Sequence, residues 1–276
     1  MELIKALILG IVQGATEFLP ISSSGHLVLV PWLLEWEEPP LYFDVMLHMG
    51  TLVAVFLYFW RDWLTLALAG LNALKTRSLQ DPNARLLLWI VIGSIPAALA
   101  GVLLNDFFES RFMDAPMVAV ELMITGAILV WAERYTRRQP VVDDDSMHHI
   151  GLLNAFIIGI AQAIAILPGI SRSGTTISAG MWRGLPRSVS ARFSFLLSTP
   201  VIFGAGLYEI AKLATSSEPM GDNMLLPMVV GTLASGIVGY LCIWYLIRLL
   251  QRRSLYGFAI YCAVFGMLCL LVALLR

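Results

Sequence analysis

The stretch QGATEFLPISSSGH, residues 13–26, decides the fold because it sets a carboxylate, an imidazole and three hydroxyls inside an otherwise apolar N-terminal region. Gln13 and Glu17 are four residues apart and therefore share one helical face. Pro20 ends that helix. The run Ser22–His26 then precedes a new apolar segment, so its free backbone N–H groups lie at a helix N-terminus. This arrangement predicts an anion site.

The same pattern recurs 149 residues further along the chain, without a gap. The second copy reads PGISRSGTT and has Arg172 where the first has Ser23. Two related loops therefore offer different chemistry, a nucleophile in one and a cation in the other. The matched pairs are Gly10 with Gly159, Ile11 with Ile160, Gln13 with Gln162, Ile21 with Ile170, Ser22 with Ser171, Ser24 with Ser173 and Gly25 with Gly174.

The composition indicates an integral membrane protein, since 58% of the 276 residues are hydrophobic and 13% are charged. The net charge of -1 argues against nucleic acid as a partner. The three cysteines lie in apolar segments and are expected to be packing thiols. No removable signal peptide is predicted, because Gln13 and Glu17 interrupt the first apolar stretch.

The apolar segments predict an all-α polytopic protein with six transmembrane helices and two re-entrant helix-loop-helix hairpins. A helix needs ~20 apolar residues to span the hydrocarbon core. The segments 3–18 with 26–34, and 150–167 with 174–182, are too short or too polar, so each pair is expected to enter the membrane and return. Residues 61–85 are interpreted as a connection. The predicted spans are 43–60, 86–104, 115–133, 193–213, 224–247 and 255–275.

Each half holds three spans, an odd number, so the second copy must lie upside down relative to the first, as an inverted-topology repeat. We expect one membrane domain, residues 1–276, made of a first repeat at 1–133, a cytoplasmic linker at 134–149 and a second repeat at 150–276.

The distribution of Lys and Arg predicts the orientation, because these residues favour the cytoplasmic ends of spans. The predicted outer loops, 35–42, 105–114 and 214–223, contain only Arg111. Both termini are therefore expected outside. Thirteen of the eighteen Lys and Arg residues lie in the predicted inner segments: Arg61, Lys75, Arg77, Arg85, Arg134, Arg137, Arg138, Arg183, Arg187, Arg192, Arg248, Arg252 and Arg253.

Glu17 and Arg172 are ionisable groups at membrane depth, where a charge costs ~2.5–3.5 kcal/mol. We expect them to face each other, because inverted repeats bring their broken elements together near the midplane. The shared pocket would suit a phosphate or diphosphate. Gln13 and Glu17 would then be oxygen ligands for a divalent cation, Mg²⁺ or Ca²⁺. A Glu–Arg pair that merely stabilises the fold is the alternative.

His26 lies three residues after Ser23, within hydrogen-bonding reach if a helix starts there. It is interpreted as a general base, a nucleophile or a structural donor. Ser24 is expected to be the helix N-cap and Ser22 a phosphate or backbone donor. Ser23 is therefore the favoured attacking group.

Three further polar residues lie inside predicted spans. Asp44 and His48, one helical turn apart, are expected at the pocket rim or, for Asp44, at the membrane interface. For Glu121, snorkelling or a hydrogen bond between helices is as plausible an interpretation as a functional role.

With these motifs in view, the whole chain resembles the bacterial undecaprenyl-diphosphate phosphatase family, also called bacitracin-resistance proteins. QGATEFLPISSSGH looks like the family's (E/Q)xxxE and P-x-S-S/T-x-G-H region, and PGISRSGTT looks like its PGxSRSxxT signature. Position 13 is Gln where many members have Glu. The resemblance implies removal of the terminal phosphate from a C55 polyprenyl diphosphate, which regenerates the lipid carrier for cell-wall glycans.

The resemblance also implies a multi-pass protein of the bacterial cytoplasmic (inner) membrane, with a divalent cation and a site open to the outer face. The implied partners are the polyprenyl diphosphate and membrane lipid, and a homodimer is left open. By position it assigns Glu17 and Gln13 to the metal or base role and Ser23 or His26 to attack. Diphosphate binding falls to Arg172, Ser171, Ser173 and Thr176, with Ser22 and Ser24 expected on the first loop.

A rival prediction comes from another class of protein. Inverted repeats with broken helices are also typical of secondary transporters, which makes a polyprenyl-phosphate flippase the alternative. A carrier needs Arg172 and the hydroxyl donors, but it has no use for a Ser–His pair beside a carboxylate.

Overall fold

The computed structural model describes residues 1–112, 114–136, 146–215 and 223–276, with the side chains of residues 105, 106, 108–112 and 212–215 excepted. Most of the predicted linker, including Arg137, Arg138 and the acidic run 143–145, lies outside the described residues. The side chain of Arg111, the predicted outer-loop cation, also lies outside them.

Within the described ranges the chain forms eleven α-helices and a short 3-10 turn at Met147–His149. The helices are α1 (Leu3–Phe18), α2 (Ser23–Leu33), α3 (Leu41–Tyr58), α4 (Trp60–Thr76), α5 (Pro82–Phe112), α6 (Ala115–Thr136), α7 (Leu152–Ile164), α8 (Arg172–Trp182), α9 (Arg187–Thr215), α10 (Leu225–Leu250) and α11 (Tyr256–Leu275).

Six of these helices are long and apolar enough to cross a membrane, and they coincide with the six predicted spans. The prediction of an all-helical multi-pass protein with six spans is therefore confirmed by length and composition. The candidate spans are Leu41–Tyr58, Pro82–Leu104, Ala115–Thr136, Arg187–Ala211, Leu225–Leu250 and Tyr256–Leu275.

The connection predicted at residues 61–85 separates two candidate spans, but it is mostly helical, because α4 occupies most of it. Its polar ends kept it from resembling a span. Leu66 and Ala69 nevertheless fall on one face and are buried, while Leu68 on another face is exposed. The packed face lies near α5, where a Cβ on Gly70 would meet the Leu87 side chain. α4 is thus a short amphipathic helix between two spans.

Two helix-loop-helix pairs, α1–α2 and α7–α8, are built from helices of 16, 11, 13 and 11 residues. At ~1.5 Å per residue each of these helices is shorter than the ~30 Å hydrocarbon core. α1 ends at Phe18, one residue before its C-cap Leu19, so the predicted stop ahead of Pro20 is confirmed.

Glycines let the two pairs pack closely against long helices. A Cβ on Gly10 of α1 would collide with the carbonyl oxygen of Gly231 in α10. A Cβ on Gly159 of α7 would collide in the same way with the carbonyl of Gly93 in α5. Small residues at such contacts allow backbones to approach, which fixes the depth of each pair between its neighbours.

Ion pairs and a hydrogen bond connect segments that were predicted to lie on the cytoplasmic side of the membrane. Glu133 is fully buried and binds both Arg187 and the backbone N–H of Leu255, each with a contact at 2.8 Å. Arg192 Nη2 lies 3.0 Å from Asp62 Oδ1. These two groups of contacts join residues near the predicted inner ends of α4, α6, α9 and α11.

The segments predicted to lie outside also contact one another. The N-terminal amine of Met1 lies 3.6 Å from Met224 Sδ, after the predicted outer loop 214–223. Arg276 Nη2 lies 3.0 Å from Glu35 Oε1 at the start of another predicted outer loop. The two chain ends thus contact residues in or directly beside two of the three predicted outer loops.

Candidate active site

The loops that precede α2 and α8 are joined by hydrogen bonds. Ser22 Oγ and Ser24 Oγ donate to the carbonyl oxygen of Pro168 at 2.7 and 2.5 Å. Ser173 Oγ donates to the carbonyl of Leu19 at 3.0 Å. The prediction that the two related loops meet is therefore confirmed.

Both short helices begin with the same serine cap. Ser22 Oγ accepts from the Gly25 N–H at 3.2 Å, and Ser171 Oγ accepts from the Gly174 N–H at 3.0 Å. The prediction that Ser24 caps the first helix is wrong, because α2 already begins at Ser23. At this N-cap position Ser22 has a φ of 68°, which residues other than glycine rarely adopt.

Glu17 is the centre of the site and is almost fully buried. Its Oε1 forms an ion pair with Arg172 Nη2, so the predicted pairing of these two residues is confirmed. Its Oε2 accepts from Ser23 Oγ at 2.5 Å and from Gln13 Nε2 at 3.0 Å. A buried carboxylate is tolerated when such donors surround it.

Ser23 is half-buried, on the first turn of α2. Its hydroxyl donates to the Glu17 oxygen that Gln13 also contacts, and the other oxygen of this carboxylate is held by the Arg172 guanidinium. A carboxylate at this distance can accept the hydroxyl proton as the oxygen attacks. Ser23 and Glu17 therefore form a nucleophile–base pair in geometry.

His26 has protein partners on both ring nitrogens. Nδ1 lies 2.7 Å from the Ser22 carbonyl oxygen, which can only accept, so Nδ1 carries a proton. Nε2 lies 2.7 Å from the Tyr261 hydroxyl. The ring also stacks on Phe265, with centroids 4.9 Å apart. Of the two predicted attackers, the geometry favours Ser23, and His26 holds the loop against α11.

The hydroxyls of the second loop are bonded to protein oxygen atoms. Ser171 Oγ lies 3.2 Å from Ser173 Oγ. Thr176 Oγ1 donates to the Arg172 carbonyl at 2.7 Å and lies 2.6 Å from Ser194 Oγ on α9. These groups hold the start of α8 in place.

His48 also reaches the site, from α3. Its Nε2 lies 3.8 Å from Glu17 Oε2, and its Nδ1 donates to the Asp44 carbonyl at 2.8 Å. The His48 side chain is one-third exposed, in keeping with the predicted place at the pocket rim. Asp44 Oδ1 is buried, and among the described residues it has no hydrogen-bond partner.

Two atoms at the centre are buried and keep unused hydrogen-bonding capacity. Within the part of the chain that the structure describes, neither Gln13 Oε1 nor Arg172 Nη1 has a partner. Buried polar groups of this kind usually meet a ligand or an ordered water. An acceptor from Gln13 and a donor from Arg172 thus flank Glu17.

The oxygen donors at this site suit a divalent cation that needs few ligands from the protein. Among the described residues no group of three or more His, Cys, Asp or Glu side chains is arranged to hold a metal ion. Mg²⁺, however, commonly takes one or two protein oxygens and completes its shell with substrate phosphates and water. Glu17 and the unpartnered Oε1 of Gln13 fit that role.

Sequence reasoning underrated one residue and missed two. Glu121 was expected as a snorkelling, interhelical or functional group with no preference among these, and neither Thr125 nor Tyr261 was singled out. Glu121 and Thr125 both bond to the loop before Arg172, and Tyr261 bonds to His26. The available signal was the spacing of Glu121 and Thr125, four residues apart in an apolar span.

The fold and the site define a class, a polytopic helical membrane protein with a buried hydroxyl–carboxylate–guanidinium centre. This chain belongs to the bacitracin resistance protein BacA family, whose model matches residues 6–268.

Several relatives match over nearly the full length of both chains. The undecaprenyl-diphosphatase of Desulforudis audaxviator is 44% identical over 277 residues, covering 100% of each chain. That of Thermomicrobium roseum is 44% identical over 280 residues, covering 99% of this chain and 98% of its own. That of Moorella thermoacetica is 42% identical, covering 92% and 91%.

Proposed function

We propose that this protein is an integral membrane phosphatase that hydrolyses undecaprenyl diphosphate to undecaprenyl phosphate and inorganic phosphate. The activity recycles the lipid carrier for cell-wall synthesis and confers bacitracin resistance. Membership of the family and the relatives named undecaprenyl-diphosphatase support it. The observation that carries the chemistry is Ser23 Oγ at 2.5 Å from Glu17 Oε2, with Arg172 on the other carboxylate oxygen.

The reaction proceeds in two displacements. Ser23 Oγ bonds to the distal phosphorus and gives its proton to Glu17, while the bond from that phosphorus to the bridging oxygen breaks. Undecaprenyl phosphate leaves with the bridging oxygen. Water then attacks the phosphoserine and releases inorganic phosphate, and the Ser23 oxygen takes back a proton. Most of the rate would come from positioning and charge neutralisation.

Arg172 neutralises the phosphates through the part of its guanidinium that Glu17 does not use. The first N–H groups of α2 and α8 precede the first intrahelical bonds and favour an anion at the same place. The residues assigned to substrate binding support this pocket, some by joining the two loops and the others by holding the start of α8. They are Ser22, Ser24, Ser171, Ser173 and Thr176.

A divalent cation, Mg²⁺ or Ca²⁺, would be held by Glu17 and Gln13. When bound it would supply positive charge for the diphosphate oxygens. Gln13 contributes a neutral oxygen, so the cation depends largely on the substrate for its remaining ligands.

We propose that the chain is a single membrane domain, residues 1–276, formed by inverted repeats at 1–133 and 150–276 around the linker 134–149. The helix pairs α1–α2 and α7–α8 would be its re-entrant hairpins. Packing supports this symmetry, since α1 and α3 lie against α10 as α7 and α9 lie against α5. In the same way α8 packs on α6 and α2 packs on α11.

The protein would lie in the bacterial inner membrane, with its polar pocket open to the periplasm, and a homodimer remains part of the proposal.

We expect a reporter inserted within residues 137–145 to behave as cytoplasmic, because inner-segment cations surround it in sequence. Green fluorescent protein fused there should fluoresce, and alkaline phosphatase should be inactive. Fusions after Arg276 serve as the control and should behave oppositely. An active alkaline phosphatase in the linker would reverse the orientation.

The purified protein in detergent is expected to release phosphate from undecaprenyl diphosphate. EDTA should reduce the release to background, and excess Mg²⁺ or Ca²⁺ should restore it, because the site has one carboxylate beside the diphosphate charge. Phosphate release that EDTA does not reduce would contradict the proposed cation requirement, but not the proposed phosphatase activity. The absence of release from folded protein would favour the flippase, which lipid-phosphate movement across liposomes would test.

A further inference from the structure

The loop before Arg172 is anchored to α6 by two side chains. Glu121 Oε2 accepts from the Gly169 N–H at 2.9 Å. Thr125 Oγ1 donates to the Gly169 carbonyl at 3.1 Å and accepts from the Ser171 N–H at 3.0 Å. Two residues one helical turn apart thus satisfy three backbone groups of the loop.

The same loop is pressed against α6 without spare room. A Cβ on Gly169 would collide with the Glu121 side chain and with the carbonyl of Val118. Glu121 is 5% exposed and Thr125 is completely buried, so water does not replace either side chain easily. A buried backbone group that loses its hydrogen-bond partner is left with an uncompensated desolvation cost. The loop therefore depends on these two side chains.

The anchored atoms directly precede the site. Ser171 donates its N–H to Thr125 Oγ1 and caps α8 through its hydroxyl, and Arg172 is the first residue of that helix. On the other side of Gly169, the Pro168 carbonyl accepts from Ser22 and Ser24 of the first loop. A shift of this segment would therefore move Arg172 relative to Glu17 and Ser23 together.

We propose that Glu121 and Thr125 are positioning residues for phosphoryl transfer, which set the loop so that Arg172 meets both Glu17 and the substrate phosphates. The inference rests on the proposed function. It is a role in the reaction and not only in folding, because a misplacement of about 1 Å at a charged group can cost about 10²-fold in rate.

Thr125→Val is the decisive variant, because it keeps the shape of the side chain and removes the hydroxyl. We expect its kcat to fall by about 10- to 100-fold while KM changes by less than about threefold. Thr125→Ser keeps the hydroxyl and should stay within about threefold of the parent. Thr199→Val is the matched control, since Thr199 is also buried and its hydroxyl bonds within α9, to the Phe195 carbonyl at 2.8 Å.

Glu121 provides a second pair of variants should Thr125→Val not fold. Glu121→Gln keeps an oxygen that can accept from the Gly169 N–H, so near-parental kcat is expected. Glu121→Met keeps the length and loses the acceptor, so its kcat should fall as for Thr125→Val. Thermal unfolding in detergent, measured on every variant, separates loss of activity from loss of folded protein.

Coupling to Arg172 separates positioning from general stabilisation. If Thr125 acts through Arg172, Thr125→Val should cost little more in an Arg172→Lys background, whereas an independent structural effect should multiply with it. Full multiplication, parental kcat in Thr125→Val, or equal loss in Thr199→Val would overturn the inference. Phosphate release by the parent protein tests the proposed function separately, because the inference concerns only ratios between variants.

Discussion

Replacement of Ser23 with alanine is expected to lower phosphate release by roughly 10⁴-fold or more, because loss of a nucleophile leaves only binding and charge stabilisation. We assign the role of nucleophile to Ser23 because its Oγ lies 2.5 Å from Glu17 Oε2, whereas the two ring nitrogens of His26 contact Ser22 and Tyr261. The measurement is the single-turnover rate with undecaprenyl diphosphate, together with quench trapping of label from the distal phosphate.

Ser198→Ala is the matched control for this experiment, since Ser198 is fully buried but donates within α9, to the Phe195 carbonyl at 2.9 Å. It should retain parental activity. Label trapped on Ser23 in the parent and absent from Ser23→Ala would identify the phosphoenzyme. Turnover by Ser23→Ala within tenfold of the parent would exclude Ser23 as nucleophile and return His26 to consideration.

Arg172→Lys is expected to lower kcat by about 10²-fold, even though the positive charge is kept. Arg172 uses Nη2 to bind Glu17, and its buried Nη1 is unpartnered within the described residues and free for a phosphate oxygen. A lysine ammonium is a compact point charge and cannot hold both partners in one plane. Loss of one such preorganised donor typically costs about 10²–10³-fold.

Arg183→Lys provides the comparison, because Arg183 follows the same helix but is exposed and bonds through Nε to Asn154 at 2.9 Å. Steady-state kinetics should show little change in that variant. If Arg172→Lys turned over substrate at the parental rate, the planar contact with phosphate would be wrong, and a simple point charge would suffice at that position.

The membrane architecture was largely predictable from the sequence, because hydropathy over ~20 residues depends on local composition alone. The six spans follow from it. Helix α4 could not be predicted from hydropathy, because it is buried on one face only: Leu66 and Ala69 are buried, whereas Leu68 is exposed. Whether such a helix forms between two spans depends on the neighbour that covers its apolar face, and the sequence does not name that neighbour.

The pairing of Glu17 with Arg172 was predictable from the cost of an isolated charge in the membrane, together with the repeat that relates their loops. The cap was not. Ser24 and Ser22 differ by two positions in a run of three serines, and although Ser22 Oγ caps α2, both hydroxyls also bond to the Pro168 carbonyl of the other loop. That partner is 144 residues or more away along the chain.

The sequence by itself determined the class of protein, the two related loops and the identity of the charged residues at the site. Only the tertiary structure supplied the contacts that favour Ser23 over His26, and only it showed Glu121 and Thr125 against the second loop. The physical reason is the range of the interactions. Hydropathy and charge burial act on each segment alone, whereas the role of a hydroxyl or an imidazole depends on partners that folding brings from distant helices.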